Sequence, residues 1–180
     1  MTSDSTLDRT DTSTSRGGLL SADIGLLILR LVFGLLFAAH GTQKLFGWFD
    51  GPGLTANNAG FEQMGFNPGD FFGTLAGLSE FVGGLLLALG ALSPLGAAVV
   101  LGTTIVIINT TFSGGLLTGQ GYETGLLFAA VAAALAFTGP GRFSVDHHRP
   151  WARGGLIWAI VAIVVAVVAA ALTLLFKAVL

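Results

Sequence analysis

The sequence predicts an all-α polytopic membrane protein, a bundle of helices that cross the bilayer. The 180-residue chain is 53% hydrophobic and 10% charged, with a mean hydropathy of +0.81, whereas charged residues make up about 25% of soluble domains. Five apolar segments are long enough for a hydrocarbon core about 30 Å thick, which takes roughly 17–25 helical residues. We place these spans at about 22–46, 71–92, 95–112, 120–138 and 154–177.

The chain before the first span is polar. Residues 1–18 are mostly Thr, Ser, Asp and Arg, so burial cannot offset the entropy of ordering them, and we expect a disordered tail. A secretory signal would have a short apolar stretch and a small-residue cleavage site. Here the apolar run is long and continues into His40, Gln43 and Lys44. We therefore interpret this apolar run as a first membrane span that is not cleaved off as a signal peptide.

The segment 47–70 is the longest connection between spans. It begins with aromatic residues such as Trp48, which are typical of the headgroup level of a membrane. Thr55 can cap a short helix carrying Phe61 and Met64. The segment fits either a helical lid over the bundle or an irregular loop with a few exposed apolar side chains.

The third span is the shortest of the five and ends in the polar sequence Asn109-Thr110-Thr111. A re-entrant hairpin is the alternative at this position. A continuous helix is favoured, because lipid offers backbone N–H and C=O groups no other partners.

The basic residues outside the spans predict the orientation of the chain. They are all arginines: Arg9, Arg16, Arg142, Arg149 and Arg153. Lys and Arg are retained on the cytoplasmic side, and the segments 47–70 and 113–119 contain neither residue. We expect a multi-pass protein of the cell membrane with a cytoplasmic N-terminus and an extracytoplasmic C-terminus, where Lys177 marks the outer end of the last span.

Two carboxylates stand out against the apolar background. Glu80 and Glu123 bracket a run from Phe81 to Tyr122 that contains no Asp, Glu, Lys or Arg. A carboxylate at the centre of a span costs about 2.5–3.5 kcal/mol, so it should face the bundle and have a partner. Glu80 is either a functional group or one half of a buried ion pair that only fixes helix register.

The first span supplies the candidate partners for Glu80. Arg30, Gly34, Gly41 and Lys44 recur at helical spacing, so that one face combines two cations with small residues. Arg30 and Lys44 are both close enough to a membrane surface to extend their charged ends to it. The sequence leaves open whether Glu80 pairs with Arg30 or with His40 and Lys44.

Depth in the membrane groups several polar residues together. Because successive spans alternate in direction, His40, Gln43, Lys44, Asn109, Tyr122 and Glu123 all fall in the outer half, with Glu80 just beneath them. We therefore expect an outward-facing polar cavity with Glu80 as its floor and the segment 47–70 as its roof. Its candidate catalytic residues are Glu80, His40 and Glu123. Its candidate ligand-binding residues are Arg30, Gln43, Lys44, Asn109 and Tyr122.

The composition excludes several chemistries. With no cysteine, the chain forms no disulfide, thiolate metal site or iron–sulfur centre. Only His40 lies within a span, so a monomer cannot bind haem through two histidines, and we expect no metal. A net charge of -2 without a Lys/Arg-rich run gives no indication of nucleic acid binding. Any redox chemistry must use a borrowed cofactor.

Three segments of the chain resemble the DoxX family of small membrane proteins. They are residues 30–47 (RLVFGLLFAAHGTQKLFG), 80–94 with Glu80, Gly83 and Gly84, and 139–146 (GPGRFSVD). Order and spacing match across about two-thirds of the chain, from Ile24 to Asp146. The resemblance implies a four-helix DoxX-like core over residues 19–146, to which this chain adds a region over 147–180 with a basic cytoplasmic loop and a fifth transmembrane helix.

The resemblance also implies a set of family positions and a functional setting. The family positions are Arg30, His40, Gly41, Lys44, Glu80, Gly83, Gly84, Glu123, Gly139, Gly141, Arg142 and Asp146. The DoxD-like namesake associates the family with thiosulfate:quinone oxidoreduction and with oxidative and thiol stress. The family therefore implies a quinone as the borrowed cofactor.

Three functions fit the sequence. The first is a membrane subunit of a quinone-linked oxidoreductase, in which His40, Gln43 or Lys44 donate hydrogen bonds and Glu80 or Glu123 supplies protons. The second is a non-catalytic membrane anchor or assembly factor for soluble redox enzymes, which would dock on Arg142–Arg153 or the fifth span. The third is a carrier for a small solute or proton. Membrane lipids are expected partners in all three.

Overall fold

The structure, a computed structural model, describes residues 7–179, and all the regular secondary structure over that range is helical. This confirms the predicted all-α bundle. The helices are α1 (Leu7–Phe46), α2 (Gly53–Gln63), α3 (Gly69–Leu89), α4 (Ser93–Thr111), α5 (Glu123–Thr138) and α6 (Leu156–Val179). Two short 3-10 turns, Phe112–Gly114 and Pro150–Arg153, lie in the connections before α5 and α6.

Four of these helices are long and apolar enough to cross a membrane: the part of α1 from Gly18, α3, α4 with the turn that follows it, and α6. The predicted fourth span is the shorter helix α5, whose 16 residues rise about 24 Å at 1.5 Å per residue. It is short because the preceding loop holds Gly119 and Gly121 and because Gly139 and Pro140 follow its end. The third span is a continuous helix, as favoured over a re-entrant hairpin.

The start of α1 differs from the disordered tail predicted for residues 1–18. The helix already begins at Leu7 and runs without a break into the first span, while residues 1–6 lie outside the described part of the chain. A helix that has already formed adds about one hydrogen bond for each residue it fixes, so polar residues can extend an established helix that they would not nucleate.

Glycines bring the backbones of α1 and α3 into direct contact. A Cβ atom at Gly34 would lie 2.7 Å from the carbonyl oxygen of Gly84, and one at Gly41 would lie 2.7 Å from the Cα of Phe81. Gly83 faces the other way, towards the side chains of Val99 and Val100 on α4. Gly41, Gly83 and Gly84 are therefore packing positions, as small residues at helix contacts in membranes commonly are.

The second half of the bundle is built on α4, which packs against both α5 and α6. The buried face of α6 consists of alanines at spacings of three and four residues, Ala159, Ala162, Ala166 and Ala170. Ala166 lies beside Gly102 of α4. The added C-terminal helix is thus an integral part of the bundle along this face.

The segment 47–70 forms α2 and lies against α3. The helix begins at Gly53 with Pro52 at its N-cap, two residues before the predicted cap Thr55, which makes no capping bond. Asn57 Nδ2 donates a hydrogen bond to the Gly73 carbonyl oxygen at 2.9 Å, and Asn58 Nδ2 donates one to Asp70 Oδ1 at 3.1 Å. Both asparagines are buried, so α2 is held in place by its own side chains.

Residues 139–146 connect helices at the end of the bundle away from α2. Asp146 accepts hydrogen bonds from Leu92 N at 3.1 Å, from Ser93 N at 2.7 Å and from Ser93 Oγ at 2.8 Å, and so caps the start of α4. Asp23 of α1 accepts one from Arg142 N at 2.9 Å. Gly139 and Gly141 both have a positive φ, 74° and 78°, which glycine adopts without strain. Residues 139–146 therefore hold α1, α3 and α4 together at the end of the bundle away from α2.

Candidate functional site

A cavity of about 470 Å³ lies inside the half of the bundle next to α2. Residues of all six helices line it, and its walls are mainly apolar, with Phe37, Phe72, Val106, Ile107 and Phe128 among the larger side chains. Phe61 of α2 and Met64, the residue that follows the helix, form part of the lining, which favours the predicted lid over an irregular loop. The volume falls in the range of small-molecule sites, about 300–1,000 Å³.

The charged wall of the cavity is an ion pair between α1 and α3. Lys44 Nζ lies 2.5 Å from Glu80 Oε2. Glu80 is 2% exposed and Lys44 25% exposed, and both line the cavity. Glu80 therefore has the partner that a carboxylate within a span requires. Of the candidates Arg30, His40 and Lys44, the residue that pairs with Glu80 is Lys44.

His40 lines the cavity one turn before Lys44, and Gln43 orients its ring. Gln43 Nε2 donates a hydrogen bond to the Phe49 carbonyl oxygen at 3.3 Å, which turns Gln43 Oε1 towards His40 Nδ1 at 3.2 Å. Because an amide oxygen only accepts, this contact is a hydrogen bond when the His40 proton is on Nδ1. The ring edge also meets Phe128, with 6.1 Å between ring centroids. Gln43 thus acts through His40 and is not itself part of the lining.

Hydroxyl groups complete the polar lining and were not predicted. They belong to Ser79 on α3, to Thr103, Thr110 and Thr111 on α4, to Thr124 on α5 and to Thr173 on α6. Thr103 and Thr110 are seven residues apart, and the lining residues Val106 and Ile107 lie between them at helical spacing. This helical spacing could have predicted from the sequence that these residues of α4 share one face and line the cavity.

Besides Gln43 and Arg30, three predicted site residues lie outside the cavity lining. Glu123 is exposed at the first turn of α5, where it needs no buried partner and favours the helix N-terminus. Asn109 is exposed on α4. Tyr122 stacks on Phe112 with 5.1 Å between ring centroids. All three lie at the end of the bundle next to α2, but depth along a helix does not specify which way a side chain points.

Arg30 lies at the other end of the bundle and is not part of this site. It precedes Lys44 by fourteen residues, or about 21 Å along the helix. Its guanidinium is 1% exposed, and Nη2 donates to the Phe143 carbonyl oxygen. The end of α3 at Gly90 lies beside it, where a helix C-terminus favours a cation. The Arg30–Glu80 pairing considered from the sequence is therefore wrong.

Chemically, the site is an apolar chamber with one polar wall. Lys44 and the hydroxyl groups of Ser79, Thr103 and Thr124 can donate hydrogen bonds to a ligand, while His40 and Glu80 can exchange protons. The hydroxyl groups of Thr110, Thr111 and Thr173 already donate to carbonyl oxygens of their own helices. Within residues 7–179, no group of three or more His, Asp or Glu side chains is placed to hold a metal ion. The arrangement suits a small molecule with polar atoms at one end and an apolar remainder.

Comparison with known proteins supports the family that the sequence motifs indicated. The profile of the DoxX family matches residues 25–114, half of the chain. An uncharacterized membrane protein of Mycobacterium tuberculosis is 31% identical over 136 residues, which cover 68% of this chain and 79% of that protein. No solved structure matches significantly. The matched region contains Lys44, His40 and Glu80, so the cavity wall lies inside it. The chain belongs to the DoxX family of membrane proteins.

Proposed function

We propose that this DoxX-family membrane protein is the membrane subunit of a quinone-linked oxidoreductase and that the quinone headgroup binds in the cavity beside Lys44, His40 and Glu80. The observation that carries the proposal is the buried Lys44–Glu80 pair on the wall of an otherwise apolar chamber. A structural ion pair alone would not require a chamber of small-molecule size next to it.

The residues present fit a quinone. Its ring is flat and apolar, and Phe37, Phe72 and Phe128 offer apolar surface of that kind. Its two carbonyl oxygens need hydrogen-bond donors, which Lys44 and the hydroxyl groups of Ser79, Thr103 and Thr124 would provide. When bound, a quinone would supply the capacity to accept and release electrons that the amino acids of this chain lack.

The protein's own contribution would be binding, orientation and proton handling. Lys44 Nζ is positioned to donate to a carbonyl oxygen, and Glu80 holds that ammonium in place at 2.5 Å. His40 offers its imidazole as a second proton-exchanging group, and Gln43 would orient the ring through Nδ1. Electrons and substrate chemistry would come from a soluble redox enzyme, which is the partner this role requires.

The test is mass spectrometry of organic molecules that co-purify with the protein in native-lipid nanodiscs. We expect a quinone enriched over bulk lipid in the wild type and depleted in folded His40→Ala and Glu80→Gln variants. Glu123→Gln is the matched control, because it removes a carboxylate that is exposed and lies outside the cavity. Absence of any enriched quinone from the wild type would overturn the proposal and favour the anchor or assembly role.

We also propose the plasma membrane as the location, with the α2 end of the bundle outside and the 139–153 connection in the cytoplasm. Arg142 and Arg149 support this orientation through the bias of basic residues. Because the chain has no cysteine, single variants report topology cleanly. A membrane-impermeant maleimide on whole cells should label Asp50→Cys and spare His148→Cys, and the reverse pattern would refute the orientation.

A further inference from the structure

The cavity has an exposed side between α3 and α6. Leu75 of α3, which is 41% exposed, and Ala169 of α6, also exposed, both line the chamber. α6 packs on α4 and α5, while α3 packs on α1, α2 and α4, so α3 and α6 face each other across the chamber. We call the gap between Leu75 and Ala169 the lateral opening.

The lateral opening lies at the depth of the hydrocarbon core. Ala169 is within two residues of the midpoint of the 24-residue helix α6, and Leu75 is four residues from the midpoint of the 21-residue helix α3. At 1.5 Å per residue these offsets are about 2 and 6 Å. A molecule at this opening is therefore surrounded by lipid tails, not by water.

The neighbouring outer rim is covered. Phe61 of α2 and Met64, which follows the helix, lie over the chamber, and Lys177 near the end of α6 places Nζ 4.6 Å from the centre of the Phe66 ring. This cation–π contact joins α6 to the connection between α2 and α3. The side towards lipid is thus less obstructed than the rim above it.

We propose that the ligand is a membrane-resident molecule that enters through the lateral opening, head first, and leaves its apolar tail between Leu75 and Ala169. The proposal rests on the quinone site above. The polarity of the chamber supports it, because Lys44 and Glu80 lie on the α1–α3 wall while the lateral opening is apolar. A chamber of about 470 Å³ takes a ring and a short stretch of chain, so a long isoprenoid tail has to remain outside.

The test uses two probe ligands, a quinone with a long isoprenoid tail and its tail-less analogue, bound to the full chain in nanodiscs. Ala169→Trp fills the lateral opening, and Ala171→Trp is the matched control on an exposed position of the same helix that does not line the cavity. We expect Ala169→Trp to weaken binding of the long-tailed quinone about tenfold, a difference of about 1.4 kcal/mol. Binding of the tail-less analogue should be unchanged, and Ala171→Trp should affect neither ligand.

A spin label locates the tail independently. Attached at Ala169→Cys in this cysteine-free chain, the label should lose mobility when the long-tailed quinone binds and not when the tail-less analogue binds. Equal effects of Ala169→Trp on both ligands, or none on either, would overturn the lateral opening and leave the quinone site standing. Failure of both ligands to bind the wild type would overturn the quinone site itself.

Discussion

Lys44 and Glu80 form an ion pair whose members differ in their access to the surroundings. Nζ and Oε2 are 2.5 Å apart, yet Lys44 retains 25% exposure and Glu80 only 2%. The long Lys44 side chain can redirect its ammonium towards the end of the helix, where it lies in the last turn of α1. Glu80, in the middle of α3, has no such route.

Loss of Lys44 should therefore cost more stability than loss of the Glu80 charge. Lys44→Met leaves an unpaired carboxylate in the bundle, and we expect a free energy of unfolding lower by about 3–5 kcal/mol. Glu80→Gln should lose less, because the freed ammonium can reorient. Unfolding in mixed detergent micelles measures both. The double variant should regain part of the loss seen in Lys44→Met, and equal losses in the two single variants would contradict this account.

Substitution at Gly41 should separate α1 from α3. In Gly41→Ala the added methyl group meets the backbone of Phe81, which cannot rotate away, and overpacking of this kind costs about 1–3 kcal/mol. Thermal unfolding in detergent measures the effect. Gly25→Ala is the control on the same helix, since its Cβ has nothing within 4 Å, and it should be neutral or slightly stabilising. If Gly41→Ala is equally harmless, the backbone contact is not tight.

Asp146→Asn should destabilise the start of α4. The carboxylate accepts three hydrogen bonds from Leu92 and Ser93, and an amide with a single oxygen cannot accept all of them, so we expect a loss of about 1–3 kcal/mol. Asp50→Asn removes an exposed carboxylate in the loop before α2 and should have no measurable effect. Unfolding free energies that coincide for the two variants would argue against the capping role.

Asn57→Ala should loosen α2 without unfolding the bundle. It removes the hydrogen bond that Asn57 donates to the Gly73 carbonyl oxygen, at a cost of about 0.5–1.5 kcal/mol. Hydrogen exchange of the α2 amides should then accelerate, by about tenfold for each 1.4 kcal/mol, while α4 amides stay protected. Gln63→Ala changes an exposed residue of the same helix and serves as the control. Unaltered α2 protection in Asn57→Ala would show that other contacts hold the helix.

Hydropathy and small-residue spacing predicted the long helices and the close packing of Gly34 and Gly41, because both properties are local in sequence. The cost of burying a charge also predicted that Glu80 needs a partner. The identity of that partner depends on helix rotation, which sequence separation does not specify, so Arg30 and Lys44 remained alternatives until the structure distinguished them.

Residues whose roles depend on tertiary neighbours were harder to predict. Asn57 and Asn58 are unfavourable in a helix interior and occur there because they bond to α3. Glu123 is a carboxylate in an apolar part of the sequence, which suggested a functional role, but it is exposed at the start of α5. In each case the deciding fact is a contact or an orientation that no pattern along the chain specifies.

The glycine contact of α1 with α3 also has a mechanical consequence. Two backbones in direct contact leave no side chains between them to rearrange, so we expect α1 and α3 to move together. The chain passes from α3 to α4 through a short turn, where Gly90 and Leu92 both have a positive φ. A motion that widened the chamber by moving α4 away from α1 and α3 would bend the chain at this turn, where Asp146 binds Leu92 and Ser93.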